Sequence, residues 1–594
     1  MKETSRPSKK PNTLFFSVSA TVEGGFHFLV LKEISLKSEE EESMAEDFSF
    51  PSIDPINFDL AVVGTGLPES IIAASSSSIG KTVLHLDPNS FYGGHFSSFS
   101  LHEFTSFLQS QQQQPNEEEV KDSNSSLDTN YTEIELKSQC LYSDIEITSN
   151  ASSEDLEPSR KFCLDLSGPR VLFCADSVVN LMLKSGANHH VEFKSIDASF
   201  IYSEDGNLFT VPDSRSAIFK DRSLGLLEKN QLMRFFKLVQ AHFGLNESTL
   251  DQEKKRISDE DLESPFIEFL TKQMLPAKIK AIILYAIAMI DYDQESPEQC
   301  KNLVKTKDGV EKLALYHSSV GRFTNALGAL LYPIYGQGEL PQAFCRTAAV
   351  KGALYVLRMP VRSLLFDKES RHYKGLKLAS GQAVFSDQLV MGPSFIVPSP
   401  PVLSPHTDLQ QEISQGSILR DINGQVARAV CITRGSIKSN ISNMLVVFPP
   451  RSLLPEQVTA VRVLQLGSNL SVCPTNLFLL YVSALCDDAT QGKKSLHAAI
   501  NALLKCSMSK NRETSSLFPN ESEVVTPTLL WSAMYIQQLT KVLEDPISSC
   551  PMPDGNLGYT NILESTEKLF QKIYPGEEFM PEAKAPENVD EQES

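Results

Sequence analysis

The sequence has little that would mark a metalloprotein, a disulfide-stapled secreted domain or a membrane protein. Its ten cysteines are scattered through 594 residues without a C-x-x-C pair or a cysteine–histidine cluster at zinc spacing. Neither a metal site nor a disulfide framework is therefore expected. The longest apolar run, 281–290, is short for a bilayer span, which takes about 20 residues. These absences favour a reduced, cytoplasmic, globular protein.

Positive charge is also scarce, since 54 lysine and arginine residues face 74 aspartate and glutamate residues, for a net charge of −20. This deficit argues against nucleic acid as a partner, because nucleic-acid-binding proteins present basic surfaces. It would suit a partner with a basic surface, although an acidic balance is more often a matter of solubility. The hydrophobic content of 41% and the length allow two or more globular domains.

The segment 58–94 has the pattern of a dinucleotide-binding βαβ unit. An apolar strand leads into Gly64 and Gly66, a helix follows, and a second strand ends at Asp87, where such folds hold a ribose hydroxyl. The fingerprint requires a third glycine where helix and strand pack closely and a pyrophosphate lies on the helix N-terminus. That position holds Glu69, whose bulk and negative charge oppose a diphosphate. The pattern therefore predicts the fold and argues against the cofactor.

Changes in composition and in hydrophobic period divide the chain into five parts. We expect an extension that is disordered or not native (1–50), a first α/β part (51–213) with a disordered insertion at about 109–159, a helical region (214–326), a second α/β part (327–575) and a disordered acidic tail (576–594). The expected fold is a multi-stranded, flavoprotein-like α/β domain into which an all-helical subdomain is inserted.

A second glycine-containing block, LYPIYGQGELPQAFCR, ends at Arg346. Two glycines within three residues, Gly336 and Gly338, imply positive φ values or a close backbone approach. If Pro341 opens a helix, Glu339 and Arg346 can project on one face. That face is either an exposed binding surface or an internal ion pair that braces the turn, and spacing alone favours the ion pair.

GTGLPES and LHLDPNSFYGG in the first block, together with LYPIYGQGELPQAFCR in the second, resemble the family of Rab GDP-dissociation inhibitors and Rab escort proteins. The blocks occur in the expected order, and the resemblance runs from about 58 to 574 apart from the Gln/Ser-rich insertion. It implies a flavoprotein-like (monooxygenase-like) α/β domain and a helical domain, with no flavin. This agrees with the separate argument from Glu69.

Several features resemble escort proteins more than dissociation inhibitors. Extra length separates the first block from Lys161, and TLLWSAMY and GNLGYTNILESTEKLFQKIYPGEEF are similar to the escort-type C-terminal region. The resemblance implies a non-catalytic, cofactor-free subunit that binds unprenylated, GDP-bound Rab GTPases. It would present them to the Rab geranylgeranyltransferase heterodimer, which supplies the zinc, and would hold the geranylgeranylated product for transient delivery to membranes.

The resemblance also implies a surface for the GTPase. Arginine and tyrosine suit such a surface because they carry much interface energy, although the tyrosines could instead be core aromatics. Leu354 stands where dissociation inhibitors have threonine, so that contact is expected to be lost or to become apolar. The implied residues are Tyr92, Glu339 and Arg346, with Tyr335, Gly336 and Gly338 shaping the surface.

A transferase contact is implied in the helical region, with an aromatic anchor at Phe219 and, eleven residues on, Asn230 in place of the family's arginine. One continuous helix would put both on one face, whereas a break at 223–225 would separate them. Without the guanidinium, charge-assisted hydrogen bonds worth roughly 1.5–3 kcal/mol are lost. We therefore expect weaker transferase affinity, or reliance on other contacts such as Lys229 or Arg234.

Two apolar surfaces are needed for a prenylated GTPase. The strand near 444–448 is a candidate patch for its C-terminal segment. The prenyl cavity would be lined from the helical region, although most of the candidates could simply be core. These candidates are Phe235, Phe236, Phe266, Phe269, Ile283 and Leu284.

Three alternatives remain open. A flavin-dependent oxidoreductase would account for Gly64, Gly66 and Asp87, but Glu69 opposes it and no covalent flavin motif or catalytic His/Lys constellation is present. A Rab GDP-dissociation inhibitor would recycle prenylated GTPases without any transferase. A scaffold without a GTPase partner is disfavoured by the second block.

Overall fold

The computed structural model leaves some stretches of the chain undescribed. It describes residues 50, 52–112, 130–152, 156–203, 205–212, 224–244, 256–295, 303–326, 328–396, 422–514, 527–540 and 547–582, with the backbone alone at 422–423 and 506–514. Apart from Phe50, the expected N-terminal extension lies outside this part.

Strands make up most of the regular structure on either side of a helical stretch. Within the described residues they are β1 (Asn57–Val63), β2 (Val83–Asp87), β3 (Ser98–Phe99), β4 (Tyr131–Glu135), β5 (Lys137–Ser138), β6 (Tyr142–Ser149), β7 (Leu164–Asp165), β8 (Leu172–Phe173), β9 (Phe193–Ser195), β10 (Ala198–Tyr202), β11 (Leu208–Thr210), β12 (Leu330–Pro333), β13 (Leu354–Leu357), β14 (Val361–Asp367), β15 (Tyr373–Leu378), β16 (Ala383–Met391), β17 (Phe395–Ile396), β18 (Ile422–Arg434), β19 (Met444–Phe448), β20 (Val461–Gly467), β21 (Leu477–Cys486), β22 (Thr528–Thr540) and β23 (Ser548–Ser549).

The helices of the same residues alternate with these strands or follow one another in the middle of the chain. They are α1 (Leu67–Ser78), α2 (Leu101–Gln112), α3 (Ser177–Ser185), α4 (Leu226–His242), α5 (Asp259–Glu263), α6 (Phe266–Lys272), α7 (Ala277–Ala281, continued as a π-helix over Ile282–Ile287), α8 (Thr306–Ser319), α9 (Glu339–Val350), α10 (Ala489–Thr514) and α11 (Thr560–Ile573).

The first sheet grows from the βαβ unit, in the order β13-β2-β1-β16-β15-β14-β4, with β23 beside β16. Its parallel strands β1 and β2 are apolar and largely buried, as is usual where helices cover a parallel sheet. Helix α1 contains Pro68 in its first turn, where a missing N–H costs no hydrogen bond, and it packs along α9. Ser70 Oγ lies 3.2 Å from Cys345 Sγ, so the two glycine-containing blocks meet here.

The second large sheet runs in the order β11-β10-β19-β20-β21-β18-β22-β6, and a small sheet has the order β8-β12-β9. Most neighbours in the second sheet are antiparallel, while β10 and β19 are parallel. The prediction of an exposed apolar patch near 444–448 is wrong. All five residues of β19 are buried between two neighbouring strands in the interior of this sheet.

The prediction of a disordered insertion at about 109–159 is wrong over 130–152, where the structure contains strands. Strand β4 extends the first sheet beside β14, and β6 extends the second sheet beside β22. A strand at the edge of a sheet needs apolar residues on one face only. In β6 that face consists of a few residues such as Tyr142 and Ile145, within a polar, Ser/Glu-rich stretch. Bulk composition therefore hid the strands, and 113–129 lies outside the described residues.

The expected disordered tail also begins later than predicted. The residues following α11 fold back onto it as far as Met580, which is fully buried. The Phe570 and Phe579 rings lie with centroids 5.3 Å apart. The rest of the expected tail, beyond 582, lies outside the described residues.

Helices α4 to α8 carry the middle of the chain between β11 and β12. Their apolar faces form one core together with side chains of the second sheet. Gly309 of α8 lies so close to α6 that a Cβ there would be 2.4 Å from the Phe266 ring. This tight contact fixes how the two helices cross.

Candidate functional site

The nucleotide-binding turn after β1 is filled by a side chain of the protein itself. Glu69 is 2% exposed, and its carboxylate lies against two glycines. A Cβ on Gly66 would be 2.4 Å from Glu69 Oε2, and one on Gly392 would be 3.1 Å from Glu69 Oε1. The carboxylate therefore occupies the approach that a pyrophosphate would need.

Asp87, the predicted ribose acid, is likewise engaged within the protein. Its Oδ2 accepts a hydrogen bond from Thr65 Oγ1 at 2.7 Å, and its Oδ1 accepts from the Asn89 backbone N–H at 2.8 Å. Burial raises the pKa of Asp87, and these hydrogen bonds oppose the rise. The cavity left at the turn holds about 60 Å³, against roughly 300 Å³ or more for a typical cofactor site. The residues present do not fit a flavin dinucleotide.

The second block begins in β12 and turns sharply before α9. Tyr335 has φ +73° and is 57% exposed, and Gly336 has φ +99°. A Cβ on Gly336 would lie 2.5 Å from Ser98 Oγ and 2.8 Å from Asp165 Oδ1. Positive φ and close approach together require glycine here, as the sequence predicted.

A buried carboxylate holds this turn from below. Asp165 Oδ1 accepts hydrogen bonds from Ser98 Oγ at 2.6 Å and from the Gln337 backbone N–H at 2.9 Å, while Oδ2 accepts one from the Tyr332 hydroxyl. The Gly338 N–H donates to Ser98 Oγ at 2.9 Å. Burial raises the pKa of Asp165 to about 6, although the three hydrogen bonds work against that rise.

Ser97, the residue before Ser98, connects the first block to the same turn. Ser97 Oγ donates to the Tyr92 carbonyl oxygen at 2.8 Å. Tyr92 itself is half-buried, with its ring centroid 6.4 Å from that of Tyr355. Burial raises the pKa of the Tyr92 hydroxyl, and nearby Arg346 opposes the rise. One serine pair thus brings both predicted blocks together.

Glu339 and Arg346 lie on α9, the helix that the second block predicted. Arg346 is exposed and Glu339 is half-buried. Burial raises the pKa of Glu339, and the charge of Arg346 partly offsets this. The ion pairs found among the described residues do not join these two side chains. The ion-pair interpretation that spacing favoured is therefore wrong, and the arginine faces solvent.

We call Tyr92, Tyr335, Gly336, Gly338, Glu339 and Arg346 the candidate platform. Sequence reasoning missed Ser97, Ser98 and Asp165 beneath it, because no local pattern distinguishes them. It also missed His190, whose pKa is lowered by burial and then by the nearby charges of Arg346 and His189. The packing of the 187–190 turn against α9 was the only signal, and it is tertiary.

The predicted transferase contact is only partly visible. Phe219 lies outside the described residues. Asn230 is exposed on α4, which begins at Leu226 after the extended Gly225. The predicted break at 223–225 is therefore present at Gly225. The Gly225 N–H donates to Glu228 Oε2 at 2.7 Å and caps the helix.

Large apolar side chains are exposed around Asn230. Leu226 is 74% exposed, Leu227 78% and Met274 78%. Gln231, one residue after Asn230, donates from Nε2 to the Met274 carbonyl oxygen at 3.1 Å. This hydrogen bond joins α4 to the turn that follows α6. We call Leu226, Leu227, Asn230 and Met274 the helical face.

The candidate prenyl-lining residues are packed in the core. Phe236 is partly buried against it. The others are at most 2% exposed, namely Phe235, Phe266, Phe269, Ile283 and Leu284. Their role in binding a lipid stays a prediction.

Among the described residues, no group of three or more His, Cys, Asp or Glu side chains is placed to hold a metal ion. None of the helices that the structure describes is both long enough and apolar enough to cross a membrane.

Comparisons with known proteins agree on one family. The sequence model of a family described as GDP dissociation inhibitor matches residues 55–132 and 122–520. Rab escort protein 1 of Arabidopsis thaliana is 53% identical over 553 residues, which cover 92% of this chain and 98% of that protein. The Rab proteins geranylgeranyltransferase component A of Drosophila melanogaster is 28% identical, with 90% and 92% covered. Component A 1 of Homo sapiens is 26% identical, with 90% and 93% covered.

A solved structure shares the fold. The crystal structure of a Rab GDI from Plasmodium falciparum superimposes with a TM-score of 0.61 at 16% identity, over 87% of this chain and 98% of that one. The molecule therefore has the fold of a Rab GDI, with its nucleotide turn closed by Glu69. The chain belongs to the GDP dissociation inhibitor family.

Proposed function

We propose that this chain is a Rab escort protein, the non-catalytic accessory subunit of a Rab geranylgeranyltransferase, acting in the cytosol. It binds an unprenylated, GDP-bound Rab GTPase, presents it to the catalytic heterodimer and holds the geranylgeranylated product until membrane delivery. The observation that carries this proposal is the 53% identity to Rab escort protein 1 over nearly the whole of both chains. The closed nucleotide turn supports a binding role rather than flavin chemistry.

The candidate platform is the GTPase-binding surface in this proposal. It presents an exposed tyrosine and an exposed arginine, Tyr335 and Arg346, on a turn and helix fixed by buried hydrogen bonds. Because the backbone of the turn is already fixed, binding does not have to order it, and tyrosine and arginine often carry much of the energy of an interface. The half-buried Glu339 supplies an acceptor beside them.

The helical face is the transferase-binding surface. Exposed Leu226, Leu227 and Met274 offer apolar contact area, and Asn230 stands among them where the family has arginine. With a neutral amide at this position, the contact has fewer charge-assisted hydrogen bonds. Apolar burial then carries more of the affinity than in relatives with arginine.

The test is prenyl transfer in a reconstituted mixture of geranylgeranyltransferase heterodimer, geranylgeranyl diphosphate and unprenylated GTPase, with and without this chain. Transfer should depend on the chain. Asn230→Arg should lower the concentration of chain needed for half-maximal transfer by roughly tenfold, which corresponds to about 1.4 kcal/mol of charge-assisted hydrogen bonding. Asn230→Gln, which keeps a neutral amide at this exposed position, is the matched control and should change little.

A Rab GDP-dissociation inhibitor is the second candidate, because the family model carries that description and the fold matches a Rab GDI. It would bind prenylated GTPase tightly and unprenylated GTPase poorly, and it would support no transfer. Absence of transfer with both the native chain and Asn230→Arg, despite tight binding of prenylated GTPase, would favour this second candidate.

A further inference from the structure

One buried acid lies beneath the candidate platform without contributing to its surface. Asp165 is 1% exposed, and among the described residues no basic side chain forms an ion pair with it. A carboxylate buried without a cation is costly unless hydrogen bonds satisfy its oxygens. Here a serine hydroxyl, a tyrosine hydroxyl and a backbone N–H do so.

Two of those three donors belong to the block that forms the platform. The Gln337 N–H lies between Gly336 and Gly338, and the Tyr332 hydroxyl comes from the strand that leads into the turn. The third donor, Ser98, also accepts a hydrogen bond from the Gly338 N–H, so it connects Asp165 to the same turn. Every hydrogen bond of the Asp165 carboxylate therefore ends within six residues of Tyr335 or in the serine pair below Tyr92.

We propose that Asp165 is the positioning residue of the candidate platform, and that its ionised carboxylate holds the 336–338 turn, and with it Tyr335 and Glu339, in the orientation that the GTPase recognises. This rests on the proposed function. Asp165 itself is buried and does not touch the GTPase.

Ionisation matters because a carboxylate only accepts hydrogen bonds. When the group takes up a proton, one oxygen becomes a donor, and one of the three existing donors loses its acceptor. The Gln337 N–H cannot rotate away, whereas the Ser98 and Tyr332 hydroxyls can, so the contacts of these two hydroxyls with the acid are expected to loosen first. Asn at this position imitates the neutral acid, since its amide also combines one acceptor oxygen with a donor.

Of Asp165 and the five titratable groups that face it, Asp165 is the group that changes charge near neutral pH. Burial raises the pKa of Tyr332, Tyr481, Tyr535 and Tyr559, and the pKa of Cys163 to about 11. All five stay neutral between pH 5 and 8. The raised pKa of Asp165 means that the native state gains its proton before the unfolded state does. Acidification through this group therefore loosens the turn without lowering the stability of the fold.

The experiment compares GTPase binding by the native chain and by Asp165→Asn at pH 7.5 and pH 5.5, at a temperature well below unfolding. At pH 7.5 we expect Asp165→Asn to bind about tenfold more weakly, as for one or two lost hydrogen bonds to a charged group. On going to pH 5.5 the native chain should weaken several-fold towards the variant, while the variant changes less. His190, Glu339 and the GTPase are the same in both arms, so the difference belongs to Asp165.

Asp176→Asn is the matched control. It replaces another buried carboxylate whose pKa is raised by burial, but Asp176 caps α3 through the Val178 N–H at 2.9 Å, and asparagine also caps helices well. It should keep native binding at pH 7.5 and the native pH response. A variant Asp165→Asn that binds as the native chain does, or that keeps the full native pH response, would overturn the proposal.

Hydrogen–deuterium exchange, corrected for the intrinsic pH dependence, provides a readout without the GTPase. Asp165→Asn should speed exchange at the Gln337 and Gly338 amides. Ser98→Ala, which leaves the acid in place, should speed exchange mainly at Gly338. If the native chain binds no GTPase but these amides respond, the proposed function fails and the positioning role of Asp165 stands. Unchanged exchange in both variants would refute the positioning role itself.

Discussion

At the scale of single residues, exposure separates side chains that can bind from side chains that hold the fold. Tyr335 and Arg346 are exposed on a turn and helix whose interior contacts are satisfied. Glu69 and Asp87 are buried at the turn and strand end where a βαβ motif of this kind binds a dinucleotide. Residue type and spacing alone do not distinguish the two exposed residues from the two buried ones.

Arg346→Ala should weaken GTPase binding by roughly tenfold or more, since arginine is often among the few residues that dominate an interface. The free energy of unfolding of the variant should change by no more than about 0.5 kcal/mol, because the Arg346 side chain is exposed. Titration of labelled GTPase with the variant measures the binding affinity, and urea unfolding measures the stability. Arg362→Ala, at an exposed arginine of β14 in the first sheet, is the control and should bind normally. Native affinity in Arg346→Ala would contradict the assigned surface.

At the scale of elements, the C-terminal segment is fastened to the α/β domain by two buried arginines. Arg170 donates from Nη2 to Asp554 Oδ1 at 2.5 Å and to the Asp554 carbonyl oxygen at 2.8 Å. Arg428 of β18 donates to the same carbonyl oxygen at 2.8 Å and to the Ser167 carbonyl oxygen at 2.8 Å. The segment that resembles escort proteins thus begins beside this anchor, and Arg170, which holds it, lies five residues after Asp165.

Asp554→Ala should lower the free energy of unfolding by about 2 kcal/mol, because the fully buried Arg170 guanidinium loses a charge-assisted hydrogen bond. The midpoint of urea unfolding measures this loss. Glu578→Ala removes the partner of Lys184 in an ion pair that is 33% and 64% exposed, and it should cost at most about 0.5 kcal/mol. Equal costs for the two variants would mean that the buried contact does not hold the segment.

At the scale of the whole molecule, the two large sheets are joined through a partly buried histidine. His95 lies 2.7 Å from the Tyr142 hydroxyl of β6 through Nδ1 and 2.7 Å from Ser394 Oγ, beyond β16, through Nε2. Burial lowers the pKa of His95 to about 4. His85, packed against Tyr355 within the first sheet, has its pKa lowered to about 4 by the same cause. The junction of the sheets therefore depends on an uncharged ring.

This junction predicts acid sensitivity. Between an unfolded-state pKa near 6.5 and the folded value near 4, the unfolded chain binds the additional proton, so stability falls as pH falls through that window. His95→Gln should remove about 2 kcal/mol of the loss between pH 6.5 and pH 5, measured by urea unfolding at each pH. His102→Gln, which removes an exposed ring, is the control and should not reproduce the effect of His95→Gln. An unaltered slope in His95→Gln would show that other groups cause the acid sensitivity.

The sequence by itself determined the βαβ unit, the loss of the nucleotide fingerprint at Glu69, the helical middle region and the two glycine-containing blocks. Each of these depends on local period, on a turn that needs glycine, or on one residue at a fixed distance from another. Such features need no knowledge of what lies opposite in space. Family resemblance then assigned candidate roles to the same residues.

Only the tertiary structure decided which residues lie beneath the platform and where the edges of the sheets are. Asp165 and Ser98 are 67 positions apart and meet the Gly336 turn a further 171 positions on from Asp165. Strands β4 and β6 become strands because partners far along the chain, β14 and β22, supply their hydrogen bonds. Long-range pairing and burial have no local signature, since the same polar residues would be equally suited to a solvated loop.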